Sequence, residues 1–389
     1  MEPPRPFLTG ILEGFYGRVW SSETRRAYAD YLARAGLNTC LYCPKADHFL
    51  RKKWQEDWPA QEWRELLDLS ALYRERGVFW GVGLSPFELY RQYGVTQREQ
   101  LRRKIGRIAE LDAPLLAILF DDMPGDLDAL ATRQAEIVAD VVSWLPGTRV
   151  LVCPTYYSFD PVLEKFFGPM PVGYWPQLGR DLPTGVDVFW TGGRVCSEAI
   201  MRRDIELIYT QLQRPVLLWD NYPVNDGAVR SNFLYLNKLS RREALPPRLV
   251  SGHLCNPMNQ GLVSLPALMG LVELYQTNRG GSEWLEEAIG RETWRQLRAD
   301  RQAFEELGLT GMGRNRCDEL AQCYRSLPGP AAREVAEWLE GEYSFDPRSE
   351  EHTSELQSDV CSSDLEAEER RVGKECRSRW SRAASSSRA

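Results

Sequence analysis

Asp121 and Asp122 stand side by side at the end of the apolar run Leu115-Leu116-Ala117-Ile118-Leu119-Phe120. A short run of that kind reads as a buried parallel strand, and carboxylates at its carboxyl end stand where α/β folds keep their chemistry. The pair suits acid/base work: two carboxyl groups held close cannot both ionise cheaply, so one is pushed towards keeping its proton. Neighbouring side chains on a strand point to opposite faces, so both acids reach one substrate only if the chain twists at the strand's end. The same residues also suit a turn or a helix cap, since Met123-Pro124-Gly125-Asp126 follows at once.

Other apolar runs also end in polar residues. One delivers Glu13-Gly14-Phe15-Tyr16-Gly17, where glycine allows a ligand to approach the backbone closely. Another ends in Cys43-Pro44-Lys45-Ala46-Asp47 and places a lysine where it can donate to a hydroxyl. Further runs end in Pro154-Thr155-Tyr156-Tyr157, in Trp190-Thr191-Gly192-Gly193, in Trp219-Asp220-Asn221 with Asn225-Asp226, and in Asn256-Pro257. Acids, amides, one lysine and several aromatics suit a sugar, whose hydroxyls need carboxylate and amide partners and whose ring faces need flat walls. Each residue alone has an ordinary role as well: Trp219 in a core, Asn221 and Asn225 in turns, Lys45 as a solvated charge.

The elements that must position these residues alternate regularly. Apolar runs at 7–13, 39–43, 78–84, 115–120, 149–153, 186–190, 216–219 and 249–254 read as strands. Amphipathic stretches at 23–35, 61–76, 98–111, 127–145 and 197–212 read as helices, with only a short helix at 161–167. This beat predicts an α/β protein, a (β/α)8 TIM barrel over residues 1–280, of the roughly 250 residues that fold needs. A doubly wound open sheet is the alternative, weakened because no GxGxxG follows the first strand and no GxxxxGK[ST] occurs. Residues 283–307 and 332–341 read as helices of a truncated second domain spanning 281–347.

The chain has 389 residues, 43% hydrophobic and 26% charged, with a net charge of −7. No basic patch interleaves with aromatics, which argues against nucleic acid or an anionic membrane as partner. No apolar leader or membrane-length run is present, so a cytoplasmic location is expected. Nine irregularly spaced cysteines read as reduced thiols, and three histidines make a histidine-rich metal centre improbable; no cofactor is expected. Residues 348–389 resemble translated sequencing-adapter DNA in three separate segments, and are expected to be disordered and to have no part in the fold.

Taken in order, Gly14-Phe15-Tyr16-Gly17 with Trp20, Tyr42-Cys43-Pro44-Lys45, Phe120-Asp121-Asp122, Cys153-Pro154-Thr155, Trp219-Asp220-Asn221 with Asn225-Asp226, and Asn256-Pro257 resemble glycoside hydrolase family 84. That is the family of O-GlcNAcases and bacterial β-N-acetylglucosaminidases, and the likeness spans roughly residues 7–280. It implies a (β/α)8 barrel and retaining, substrate-assisted hydrolysis of terminal N-acetylglucosaminides borne on glycans or glycoproteins. By the same resemblance Asp121 orients the 2-acetamido group and Asp122 is the general acid and base. Gly14, Lys45, Asn221, Asp226 and Asn256 would hold the sugar, while Tyr157 and Trp219 would wall the acetamido pocket. The chain departs from the family at Ser85-Pro86-Phe87, where Ser-Pro-Gly is common, and at Met123-Pro124-Gly125; both loops shape the approach to the pocket. Two other functions fit the residues: a glycan-binding barrel without turnover, and a metal-dependent hydrolase with Asp121, Asp122 and Asp226 as ligands.

Overall fold

The strands expected from the apolar runs form and close on themselves. In the computed structural model, which describes residues 5–275, 277 and 283–345, they are β1 (Leu8–Leu12), β2 (Thr39–Tyr42), β3 (Phe79–Leu84), β4 (Leu115–Leu119), β5 (Arg149–Cys153), β6 (Asp187–Trp190), β7 (Val216–Asp220) and β8 (Val250–Cys255). They pair in parallel in chain order and β8 returns to β1, giving a closed barrel. Nearly every strand residue is buried, on both faces of the sheet, so β4 reads as an unbroken apolar run and the others mix aliphatic residues with Gly, Cys, Thr and aromatics rather than alternating with exposed polar ones. Gly10 lets β1 and β2 approach: a Cβ there would fall 1.9 Å from the carbonyl oxygen of Thr39.

Helices α1 (Ser22–Ala35), α2 (Ala60–Glu75), α3 (Val95–Ala109) and α4 (Leu130–Trp144) make the first four crossovers. The start of α1 is fixed by Ser21, whose hydroxyl accepts the Thr24 N–H, and its end by Gly36 in the left-handed region. The β5–β6 crossover holds two short helices, α5 (Val162–Phe167) and α6 (Tyr174–Asp181), where one was expected. α7 (Arg202–Leu212) links β6 to β7. The β7–β8 link departs from the alternation, with only the four-residue α8 (Gly227–Arg230) before an irregular stretch, and α9 (Leu265–Tyr275) follows β8.

Beyond the barrel lie α10 (Glu283–Ile289), α11 (Arg291–Gln302), a π-turn (Ala303–Leu307), α12 (Gly308–Met312), α13 (Arg314–Ser326) and α14 (Pro330–Glu340). The single helix expected over 283–307 is broken at Gly290, whose φ of 89° no helix tolerates. This segment grips the two loops that close the barrel. Glu334 accepts the N–H groups of Leu262 (2.9 Å) and Val263 (3.1 Å), Trp338 donates to the Ser231 carbonyl (3.0 Å), and Glu305 accepts the Leu236 N–H (2.7 Å).

Cys40, Cys43, Cys153, Cys255, Cys317 and Cys323 are free thiols. Cys196 is disulfide-bonded, against the expectation of reduced thiols. No helix among the described residues is long and apolar enough to cross a membrane. Residues 348–389 lie outside the described residues.

Candidate active site

The twist demanded by two adjacent acids is present. Phe120 continues the strand pairing, its N–H donating to the Cys153 carbonyl at 2.8 Å, and the Thr155 hydroxyl holds the Phe120 carbonyl at 3.0 Å. Asp122 then takes φ 55°, in the left-handed region that Asp enters more readily than most residues. Both carboxylates consequently meet Lys45 from β2: its ammonium bonds Asp121 Oδ2 and lies 3.9 Å from Asp122 Oδ2. Burial opposes the charged lysine, but the two carboxylates outweigh it and hold its pKa above the ordinary value.

Two phenols complete the surroundings of Asp122. Tyr16 donates to Oδ2 at 2.7 Å and Tyr157 to Oδ1 at 3.3 Å. Burial raises both phenols well above their usual pKa, so each keeps the proton it donates. Asp121 is bound on one side only: its Oδ1 is buried and has no hydrogen-bond partner.

Across the rim, β1, β7 and β8 are tied by amides. Asn256 Oδ1 accepts the Gly14 N–H (3.1 Å), and Asn221 Oδ1 accepts both Asn256 Nδ2 (3.0 Å) and the Trp219 indole N–H (2.9 Å). Asn221 Nδ2 donates to the Val195 carbonyl at 2.9 Å. Each amide group thus spends one hydrogen on the protein and keeps a second for a ligand. A Cβ on Gly14 would fall 2.3 Å from the Trp219 ring, so glycine is required for β1 to lie against that indole. Lys45 Nζ stands 5.8 Å from the Trp219 ring centroid, which brings the β2 lysine and the β7 indole to one site.

Asp226 resembles Asp121 in its half-bonded state. Its Oδ2 accepts the Tyr16 backbone N–H at 2.8 Å, while its buried Oδ1 has no partner. Burial pushes its carboxyl up to about 6, only partly offset by that N–H. All nine residues singled out from the sequence, Gly14, Lys45, Asp121, Asp122, Tyr157, Trp219, Asn221, Asp226 and Asn256, stand at the carboxyl ends of strands within this network.

Three contributors escaped sequence reasoning. Tyr16 was visible only as part of a motif. Asn259 donates from one amide nitrogen to the carbonyls of Tyr16 (2.7 Å) and Arg18 (2.9 Å), fixing the loop after β1. Arg51 is buried, with Nη1 3.3 Å from the Tyr16 hydroxyl and Nη2 3.2 Å from the Asp122 carbonyl. In sequence it opens Arg51-Lys52-Lys53, which reads as a solvated charge run, so no signal distinguished it.

The metal-ligand reading of Asp121, Asp122 and Asp226 does not fit this geometry. The first two close on an ammonium, and among the described residues the close grouping of ligand-type atoms is Asp220, His253 and Cys255 instead. There Arg242 already occupies both Asp220 oxygens, at 2.8 and 2.9 Å. A second buried cation beside that guanidinium would be repelled.

A closed parallel barrel with paired buried carboxylates on its carboxyl-end rim defines the class of barrel glycosidases. The family model for β-N-acetylglucosaminidase matches residues 9–307. The protein O-GlcNAcases of Rattus norvegicus and Mus musculus are each 31% identical over 290 residues, covering 71% of this chain. The chain spans only 31% of the length of those relatives. A mutant O-GlcNAc hydrolase of Thermobaculum terrenum superposes with a TM-score of 0.68 at 26% identity, over 86% of this chain and 81% of that one. The chain belongs to the β-N-acetylglucosaminidase family, the glycoside hydrolase family 84 of the sequence resemblance.

Proposed function

We propose that the protein is a retaining β-N-acetylglucosaminidase that removes terminal N-acetylglucosamine by substrate-assisted catalysis. The observation that carries this reading is the pair of half-bonded acids. A buried carboxylate oxygen without a partner costs about 1–3 kcal/mol or more, so Asp121 Oδ1 and Asp226 Oδ1 mark where a ligand's donors belong. An acetamido N–H and a sugar hydroxyl supply such donors.

In the first step the 2-acetamido oxygen attacks C1 while the C1–oxygen bond to the leaving group breaks. Asp122 gives its proton to the leaving oxygen, and Asp121 Oδ1 accepts the acetamido N–H, stabilising the positive charge of the oxazolinium-like intermediate. Lys45 on Asp121 Oδ2 balances that carboxylate within a buried site. In the second step Asp122 removes a proton from water, which attacks C1 from the face the leaving group vacated while the bond from C1 to the acetamido oxygen breaks, regenerating the acetamido group and restoring the β configuration. Tyr157 and Trp219 flank the acetamido group, and Gly14, Asn221, Asp226 and Asn256 hold the ring. The substrate class is a glycan or glycoprotein bearing terminal N-acetylglucosamine, as the O-GlcNAcase relatives suggest. We read residues 1–280 as the catalytic barrel and 281–347 as a helical segment that supports its loops.

Fluorinating the acetamido group of an aryl N-acetyl-β-glucosaminide tests this directly. Each fluorine weakens the amide oxygen as a nucleophile, so kcat/KM should fall steeply from acetyl to trifluoroacetyl. A flat series would point to an enzyme carboxylate as nucleophile instead.

A further inference from the structure

Arg51 has the surroundings of a working residue although nothing above assigns it a role. Its backbone is fixed, with the preceding Leu50 carbonyl accepting the Ser85 N–H at 2.8 Å, so the loop after β2 is tied to the end of β3. The residue is 3% exposed, and its guanidinium carbon lies 5.9 Å from the centroid of the Tyr16 ring and 5.5 Å from that of Phe87. Its Nε is buried without a partner, so the group is not placed there to complete its own hydrogen bonding. What it does reach is Asp122 by two routes, the carbonyl directly and the carboxylate through Tyr16.

We propose that Arg51 is a positioning residue of the acid/base centre: it orients the Tyr16 hydroxyl onto Asp122 Oδ2 and pins the left-handed backbone of Asp122. A hydroxyl has one hydrogen and can rotate. By donating to the Tyr16 oxygen, Arg51 fills its lone-pair side and leaves the hydrogen directed at the carboxylate. The neighbouring positive charge also makes that hydroxyl a stronger donor. No proton passes along the chain; Tyr16 keeps its own, and the proton given to the leaving oxygen comes from Asp122.

This inference rests on the glycosidase reading, and the experiment separates the two. Rates are measured for the wild type, Arg51→Met, Arg51→Lys, Tyr16→Phe and Arg51→Met/Tyr16→Phe. The substrates are a nitrophenyl N-acetyl-β-glucosaminide, whose leaving group departs unaided, and the methyl glycoside, whose leaving group needs a proton. Arg51→Met should lose roughly tenfold or more on the methyl glycoside and under about threefold on the nitrophenyl one. Both rates come from one preparation, so their ratio is independent of how much protein is folded. Arg51→Lys should recover part of the loss, and the double variant should be no worse than the poorer single one. Equal losses on both substrates, or multiplying losses in the double variant, would overturn the role of Arg51 while leaving the glycosidase reading intact. A wild type inactive on both substrates would instead refute that reading, and the role of Arg51 with it.

Discussion

Two buried aspartates on the β7 side of the barrel, Asp220 and Asp226, have opposite surroundings. Asp220 is saturated: Arg242 binds Oδ1 at 2.8 Å and Oδ2 at 2.9 Å, and His253 Nε2 lies 3.0 Å from Oδ2. Burial works against its charge, but Arg242 and His253 overcome that and bring its carboxyl down to about 2. Asp226, six residues on, has one backbone N–H and an empty oxygen, and burial drives it up to about 6. A closed network of buried charge is scaffold, whereas an open one is waiting for a ligand. Asp121 falls on the open side by the same criterion, and Asp122, bonded by two rotatable phenols, stands between the two.

The contrast predicts where substitutions strike. Asp122→Asn should produce the largest effect, a loss of about 10²–10⁴ in kcat on the methyl glycoside and much less on an activated aryl one. Asp121→Asn should lose on both alike, because the nucleophile itself is weakened; if Asp121→Asn is the variant rescued by the good leaving group, the roles are exchanged. Asp220→Ala should act on stability, lowering unfolding free energy by about 3–5 kcal/mol because Arg242 is left buried and unpaired. Denaturant unfolding measures this, and a stable Asp220→Ala protein with lost activity would break the division between scaffold and site.

Asp226→Ala should do the reverse. Removing charge-assisted hydrogen bonds worth about 1.5–3 kcal/mol each should cut kcat/KM by ten- to hundredfold, with a smaller effect on unfolding than Asp220→Ala because one backbone N–H, that of Tyr16, rather than a guanidinium loses its partner. A wild-type rate for this variant would take Asp226 out of the sugar clamp. The smallest effect is with pH. A neutral sugar-mimicking inhibitor donating to Asp226 should bind more tightly as pH rises through about 6, by at most about tenfold per unit below that value, and Asp226→Asn should flatten the curve. In the empty protein the sign is opposite. The raised carboxyl contributes stability below its unfolded value of 3.8, and this is lost as pH rises through about 6. The lowered Asp220 contributes above 3.8 and loses that contribution as pH falls through about 2.

The sequence made the rim legible because each buried strand is an apolar run that stops at a polar residue, and strand ends of a parallel barrel share one face. That logic located Asp121, Lys45, Trp219 and Asn256 without geometry. It failed for Arg51, which the chain brings to the rim on the loop after β2 and which is followed by the exposed Lys52 and Lys53. It also missed α6, where Pro176 lies inside a helix of eight residues, and α13, whose narrow buried stripe of Cys317, Leu320, Ala321 and Tyr324 has helical spacing but is set in an otherwise charged and polar sequence. His253 looked idle in sequence, since only the barrel brings β8 beside Asp220 on β7.

The left-handed backbone at residue 122 has a consequence for what substitution can accomplish there. Asparagine and aspartate enter this conformation more readily than other side-chain-bearing residues, although Glu88, Gln213 and Arg241 also adopt it in this chain, and of the two only aspartate has an acidic proton to give. The main chain therefore biases the chemical alphabet at this position towards short side chains. A variant that keeps the shape without the proton lies one amide away.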